Sequence, residues 1–353
     1  MMSLLVRIAR LAAVAALAAL VVPAIAADLR IGRSNEQPSI DPQFSRTGNK
    51  MMTAQDIFDR LIANDANLQT KPALAVSWKT IDPLTWEVKL RENVKFHDGS
   101  SFTADDVVFS MHRAGEIRNS PAPFTGAVRG IADMTIVDPH TIRFHTKTPT
   151  PEFIEQIGRV YIVSKKAAEG KRSEDFNSPA VAVGTGPYKL KEWVPSDHLV
   201  LTRNDAYWGP KPAFATVTEK FITNDAARVA AIRSGSVDLI DSVPPADIKF
   251  IQGSSGMHLY STPSARIIYL GLESSRDPTP WVVGADGKPL TPNPLKNPKV
   301  RLALSKLINR PLIIDRVLDG AGVPAGQLVP EGLLGYAADV KAEFLHAWNV
   351  YKR

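Results

Sequence analysis

Residues 94–113 read VKFHDGSSFTADDVVFSMHR and crowd His97, Asp98, Ser100, Ser101, Thr103, Asp105 and Asp106 into one short stretch. The palette suits an active site, and it equally suits a turn followed by a helix cap. The spacing favours the turn and cap. Val94-Lys95-Phe96 closes a strand, and Asp98-Gly99 supplies the positive φ of a turn. Thr103 stands at an N-cap position, with Asp106 three residues later to complete a capping box. Val107, Val108 and Met111 then give a helix its apolar stripe. Every polar side chain has a structural post, so the stretch predicts strand, turn and helix rather than catalysis.

Similar punctuation continues on both sides. DLRIGRS (28–34) reads as a strand with Leu29 and Ile31 on one face, followed by the loop NEQPSIDPQF, where Pro38 and Pro42 block a helix. MMTAQDIFDRLIA (51–63) has helical spacing through Met52, Ile57, Phe58, Leu61 and Ile62. TWEVKL (85–90) and TIRFHTK (141–147) alternate as strands. YKLKEW (188–193) and HLVLTRN (198–204) flank VPSD as a hairpin, and VDLID (237–241) is a further short strand. Asn224 or Asp225 caps AARVAAIRSG, Asn297-Pro298 opens KVRLALSKLIN, and LIIDRVLDG stops at Gly320. Helices and antiparallel hairpins intermix, which gives a mixed α/β (α+β) fold class.

The chain has 353 residues, enough for two domains, and 22% of them are charged. Arg7 and Arg10 precede the apolar run LAAVAALAALVV (11–22), and Ala24-Ile25-Ala26 follows. That order predicts a secretory signal peptide over 1–26, cleaved after Ala26, since a membrane anchor needs ~20 apolar residues. The formal charge of +6 includes Arg7 and Arg10, so the chain without them carries +4. No basic run resembles a nucleic-acid footprint, and none is expected as a partner. With Cys at 0, an exported chain has no disulfide, and no acceptor for a lipid at the end of its signal. The expected location is the periplasm.

At this point the sequence resembles a known family. VKFHDGSSFTADDVVFSMHR looks like the signature of the family 5 solute-binding proteins of ABC transporters, the dipeptide-, oligopeptide- and nickel-type periplasmic binding proteins. SIDPQF (39–44), LAVSWKTIDPLTWEVKLREN (74–93), VGTGPYKLKEWVPSDHLVLTRNDAYWGPKPAF (183–214), RVAAIRSGSVDLIDSVPPADI (228–248) and NPKVRLALSKLINRPLII (297–314) are similar to family segments, in the family's order. The resemblance implies a two-lobed, type II-like periplasmic binding protein that closes on a solute and docks on a permease. It puts lobe I at 27–50 and 181–261, an extra subdomain of lobe I at 51–180, and an incomplete lobe II at 262–353, with the crossover near TPSARIIYLGLE (262–273). After GYAADVKA (335–342), EFLHAWNVYKR departs from the family pattern, which continues further. A truncated product, or a short form that pairs with another chain, is the expectation.

The resemblance also implies where a solute binds. Glu36 and Gln37 lie in the loop after the first strand, where similar proteins touch the ligand; an ordinary solvated loop is the alternative. Phe124 matches a position that offers an aromatic wall to peptides, against a plain core aromatic. Thr185 and Gly186 sit at the return into the first lobe, where Gly184 and Gly186 would let backbone approach a ligand or simply make a tight turn. The implied function is solute capture for an ABC importer, of peptides first and of nickel, opines or sugars as alternatives. The implied partners are permease subunits and a small-molecule or peptide ligand, with a monomeric protein, no cofactor, no metal and no catalysis.

Two rival classes remain open at this stage. A secreted hydrolase needs a nucleophile elbow or a metal motif, and Gly253-Ser254-Ser255-Gly256 has the wrong spacing for the elbow. His140 and His145 are ill-spaced for a zinc pair on one strand face. Gly184-x-Gly186 is followed by Lys189 where a dinucleotide fingerprint needs a third glycine. A binding scaffold or chaperone that uses the same lobes is the second rival. Tyr207-Trp208-Gly209 reads as aromatics that staple a loop to the core.

Overall fold

A computed structural model describes residues 27–46, 48–65, 69–262, 264, 266–331, 333 and 335–340, with 48–51 as backbone only. The signal peptide expected over 1–26 and the divergent segment 343–353 lie outside the described residues. The chain divides into two compact units: residues 1–64 with 70–242, and 65–69 with 243–353. The division falls after Ser242, ahead of the crossover expected at 262–273.

The first unit holds two packed bodies, each with its own sheet. In one, β1 (Leu29–Arg33) is an inner strand of a five-stranded sheet of order β11-β1-β10-β9-β8, where β8 is Tyr188–Val194, β9 His198–Arg203, β10 Thr216–Phe221 and β11 Leu239–Ile240. β1 runs parallel to both β10 and β11, while β9 is antiparallel to β10 and to β8. The expected hairpin at 188–204 is therefore present, with Ser196 at positive φ in its turn. Ile31 pairs with Glu219 and Leu29 with Val217, so these four side chains share one sheet face. Helix α1 (Gly48–Ile57) covers that face through Ala54 and Ile57, together with Leu190, Leu199 and Leu201. The reading of a helix through 63 is corrected here. The helix ends at Ile57, and Ile62–Asn64 forms β2, which pairs with β3 (Thr70–Pro72). Leu61 is buried just before this strand and Ile62 within it, because a short apolar run is compatible with either period.

The second body is a four-stranded sheet of order β4-β5-β7-β6, formed by β4 (Ala75–Asp82), β5 (Thr85–Leu90), β6 (Ile131–Asp138) and β7 (Thr141–Thr146). One face buries Val88, Leu90, Ile142 and Phe144 under α2 (Ala104–Glu116), whose Val107 and Met111 complete the core. On the other face Glu87 sits opposite Arg143 and Lys79, with ion pairs of 3.0 and 3.4 Å.

The quoted stretch has the geometry its spacing predicts. Gly99 has φ +84°, which admits glycine at no steric cost. The Asp106 carboxylate accepts the Thr103 N–H at 3.0 Å, and α2 begins at Ala104. Asp106 also accepts the Lys165 N–H at 2.9 Å, so the cap fastens a second segment as well.

In the second unit the described elements are mostly helical: α3 (Ile248–Gly253), α4 (Pro298–Leu307) and α5 (Arg310–Val317). Asn297 and Asn309 cap the last two by accepting N–H groups of Lys299 and Leu312. The VDLID strand is shorter than expected, reduced to Leu239–Ile240. Residues 266–272, expected to open lobe II, have no regular element, and Ile268 is 82% exposed.

Candidate functional site

The ends of β1 and β10 frame the candidate site. Both strands run the same way, and their connections leave to opposite faces. After β1 the chain reaches α1, on the face of Ile31 and Glu219. After β10 it reaches the helix Asp225–Arg233, whose Arg228 lies against Gly32 on the other face. Adjacent parallel strands with diverging connections open a crevice at their carboxyl ends, and open α/β sheets bind ligands there. The loop Ser34–Phe44 begins at that point.

This loop is held in one place. The Glu36 carboxylate accepts the Trp193 indole N–H at 3.1 Å and the Ser196 N–H at 3.0 Å, which fixes it to the β8–β9 turn. Asp241 accepts the Ser34 N–H at 2.7 Å. Asp41 accepts the Gln43 N–H, the Ser173 hydroxyl and two bonds from the Arg113 guanidinium, at 2.6–3.0 Å. Gln37 is buried, lines a narrow crevice with Ser39, Ile40, Thr53, Ala54 and Ile57, and its Nε2 has no hydrogen-bond partner. A buried donor without an acceptor costs about 1–3 kcal/mol, so its retention calls for a partner that offsets the cost.

Beneath the loop lies a charge cluster that the sequence reading missed. Arg33 and Glu219 are both buried and ion-paired, Thr53 donates to Glu219 at 2.8 Å, and Asp241 stands 4.0 Å from Arg33. Asp56 lies one helical turn beyond Thr53 on α1. Burial, then the Glu219 charge, pushes its carboxyl up to about 7, against the opposing pull of Arg33. The signal was present: Glu219 falls on the apolar side of the alternating TVTEKF, and Arg33 on the side of Leu29 and Ile31.

The other expected site residues lie elsewhere. β8 runs parallel to β1, so Thr185 and Gly186, just before it, stand at the opposite edge of the sheet from Glu36 and Gln37. The Thr185 hydroxyl donates to Asp59 at 2.9 Å, and the Trp208 indole donates to the same carboxylate at 2.8 Å. Trp208 thus staples its loop, with Arg91 stacked 4.4 Å from its ring. Burial raises the Asp59 carboxyl above its ordinary value, and its hydrogen bonds offset only part of that rise. Phe124 is 1% exposed, within the core of the four-stranded body. Its segment still reaches the loop after β1, because the Arg46 N–H bonds the Ala122 carbonyl at 3.0 Å.

His97 joins the two bodies. Its Nδ1 accepts the Gly184 N–H at 3.3 Å, and its Nε2 bonds the Gly186 carbonyl at 3.0 Å. Burial lowers the imidazole to about 4, so it is neutral and can accept and donate at once. Gly184 and Gly186 permit close approach, but to the backbone of Ile57. A Cβ at Gly184 would meet the Ile57 oxygen at 1.9 Å. Gly184→Ala is expected to cost about 3 kcal/mol or more through backbone displacement, read as a drop of at least ~6 °C in Tm. An unchanged melt would contradict this packing.

Comparison with known proteins places the chain. Residues 69–349 match the family model described as bacterial extracellular solute-binding proteins, family 5 Middle. The glutathione-binding protein GsiB of Escherichia coli (strain K12) is 27% identical over 320 residues, covering 90% of this chain and 58% of GsiB. The periplasmic murein peptide-binding protein MppA of the same strain is 25% identical over 322 residues, covering 86% and 57%. The chain thus spans somewhat more than half the length of these curated relatives. The solved ABC transporter-associated periplasmic binding protein DppA from Helicobacter pylori, in complex with the peptide STSA, superposes with a TM-score of 0.75 at 23% identity, over 92% of this chain and 65% of that one. A family match this long, in a chain whose strand ends carry an ordered loop at a topological switch point, makes this protein a member of the bacterial extracellular solute-binding proteins, family 5.

Proposed function

We propose that this chain is the substrate-binding component of an ABC importer, working as a monomer in the periplasm and delivering peptides or similar small solutes to permease subunits in the membrane. Solute capture is non-covalent. The observation that carries the reading is the buried, unpartnered Gln37 Nε2 in the loop at the carboxyl end of β1. The crevice around Gln37 is closed to a molecule the size of water, so a peptide main-chain carbonyl satisfies this donor only once the loop opens. The Glu36 carboxylate keeps acceptor capacity beyond its bonds to Trp193 and Ser196, which suits a peptide N–H. The names of two relatives, for glutathione and for a murein peptide, support a peptidic solute, with nickel, opines and sugars as the alternatives. Phe124, buried in a core, and Thr185 and Gly186, at the other end of the sheet, are left out of this proposed contact with solute.

The test is Gln37→Leu, measured by calorimetry with a peptide bound by the parent. Removal of an unsatisfied buried donor should leave Tm unchanged or raise it slightly. Affinity should fall about tenfold, the equivalent of one lost hydrogen bond. Equal affinity in parent and variant would remove Gln37 from the site.

A further inference from the structure

Arg228 is completely buried, and its guanidinium is spent almost wholly on main chain. Nε donates to the Asp241 carbonyl at 3.2 Å, Nη1 to the Ile222 carbonyl at 2.9 Å, and Nη2 to the Ser242 carbonyl at 2.8 Å. Nη2 also meets the largely exposed Asp225 carboxylate at 2.6 Å. A guanidinium is expensive to bury, and an exposed carboxylate is a weak partner, so packing alone does not explain an arginine here. Its planar fork holds several acceptors in one fixed geometry, which lysine or methionine cannot do.

The place is what matters. Asp241 and Ser242 are the last residues of the first unit before the chain crosses into the second. Ser242 is held at φ +51°, a left-handed conformation that an L residue keeps only when its surroundings impose it. The Asp241 carboxylate accepts the Ser34 N–H and faces Arg33, so this short exit segment is tied to the loop of Glu36 and Gln37 on one side and to Arg228 on the other.

We propose that Arg228 is a positioning residue that fixes the backbone where the chain leaves the first unit and registers that exit to the loop Ser34–Gln37. Its consequence for solute capture rests on the solute-binding reading; the fixing of the exit does not.

The chain has no Cys, so Lys191→Cys and Lys299→Cys, one exposed position in each unit, give a clean spin-label pair. Arg228→Lys keeps the charge and loses the fork. Main-chain amides of residues 241–247 should exchange hydrogen at least tenfold faster, and the distance distribution between the labels should widen about twofold. Exchange in β8, β9 and β10 should stay as in the parent, which a merely structural loss would not allow. Arg228→Gln, which keeps a planar end with fewer donors on a shorter stem, should move both readouts in the same direction if Arg228→Lys fails to fold. Parental exchange at 241–247 and an unwidened distribution, in Arg228→Lys or, if it does not fold, in Arg228→Gln, would overturn the proposal. A protein that binds no peptide yet shows these changes retains this inference and loses the solute-binding one.

Discussion

Arg33→Met should lower the unfolding free energy by about 3–5 kcal/mol, because it leaves Glu219 buried and unpaired. The effect exceeds that of an ordinary ion pair, since Asp56 shares the same enclosure. Three carboxyls, of Glu219, Asp241 and Asp56, face one guanidinium, and without it the buried ones are unbalanced. The expected drop in Tm is about 6–20 °C. Arg33→Met combined with Glu219→Met should recover much of this, because an apolar pair needs no compensation. A single variant within ~0.5 kcal/mol of the parent would mean that water already balances Glu219.

The second large effect is hidden in the parent and exposed by mutation. Burial holds His97 near 4 in the folded protein, below its ordinary 6.5. Its contribution is therefore fully present above pH ~6.5 and lost as pH falls toward ~4, a change of about 3 kcal/mol. Asp56 works in the opposite sense. Its folded value near 7 lies above the ordinary 3.8, so its contribution is present at low pH and lost as pH rises to ~7, by about 4 kcal/mol at most. Between pH ~4 and ~6.5 the two slopes offset each other. Asp56→Asn should make stability rise steeply across that range, and His97→Gln should make it fall. Chemical denaturation at half-unit pH steps checks both. Parallel profiles in parent and variants would remove both groups from the balance.

Local features were legible in the sequence because their causes are local. Asp98-Gly99 makes its turn, Asp106 caps α2 at Thr103, and Asn224 caps its helix by accepting the Ala227 N–H at 2.9 Å. The strand DLRIGRS, the hairpin at 188–204 and the loop of Glu36 and Gln37 are likewise present. What escaped was set by distant partners. Arg33 meets Glu219 across 186 positions, and His97 meets Gly186 across 89, so no window of sequence contains either pair. His97 stands beside the turn Asp98-Gly99 and is also the clip between two bodies. The end of α1 was misjudged because Leu61 and Ile62 keep a helical spacing while β3 draws Ile62 into a strand.

The measurement that bears most directly on the central claim is a thermal melt of the purified chain, scanned against di- to pentapeptides, glutathione, a nickel–histidine complex and simple sugars. A ligand that binds only the folded state raises Tm by mass action. The account predicts a cooperative transition that one class of peptide raises, with the shift lost in Gln37→Leu. A cooperative transition that none of these solutes moves would contradict it.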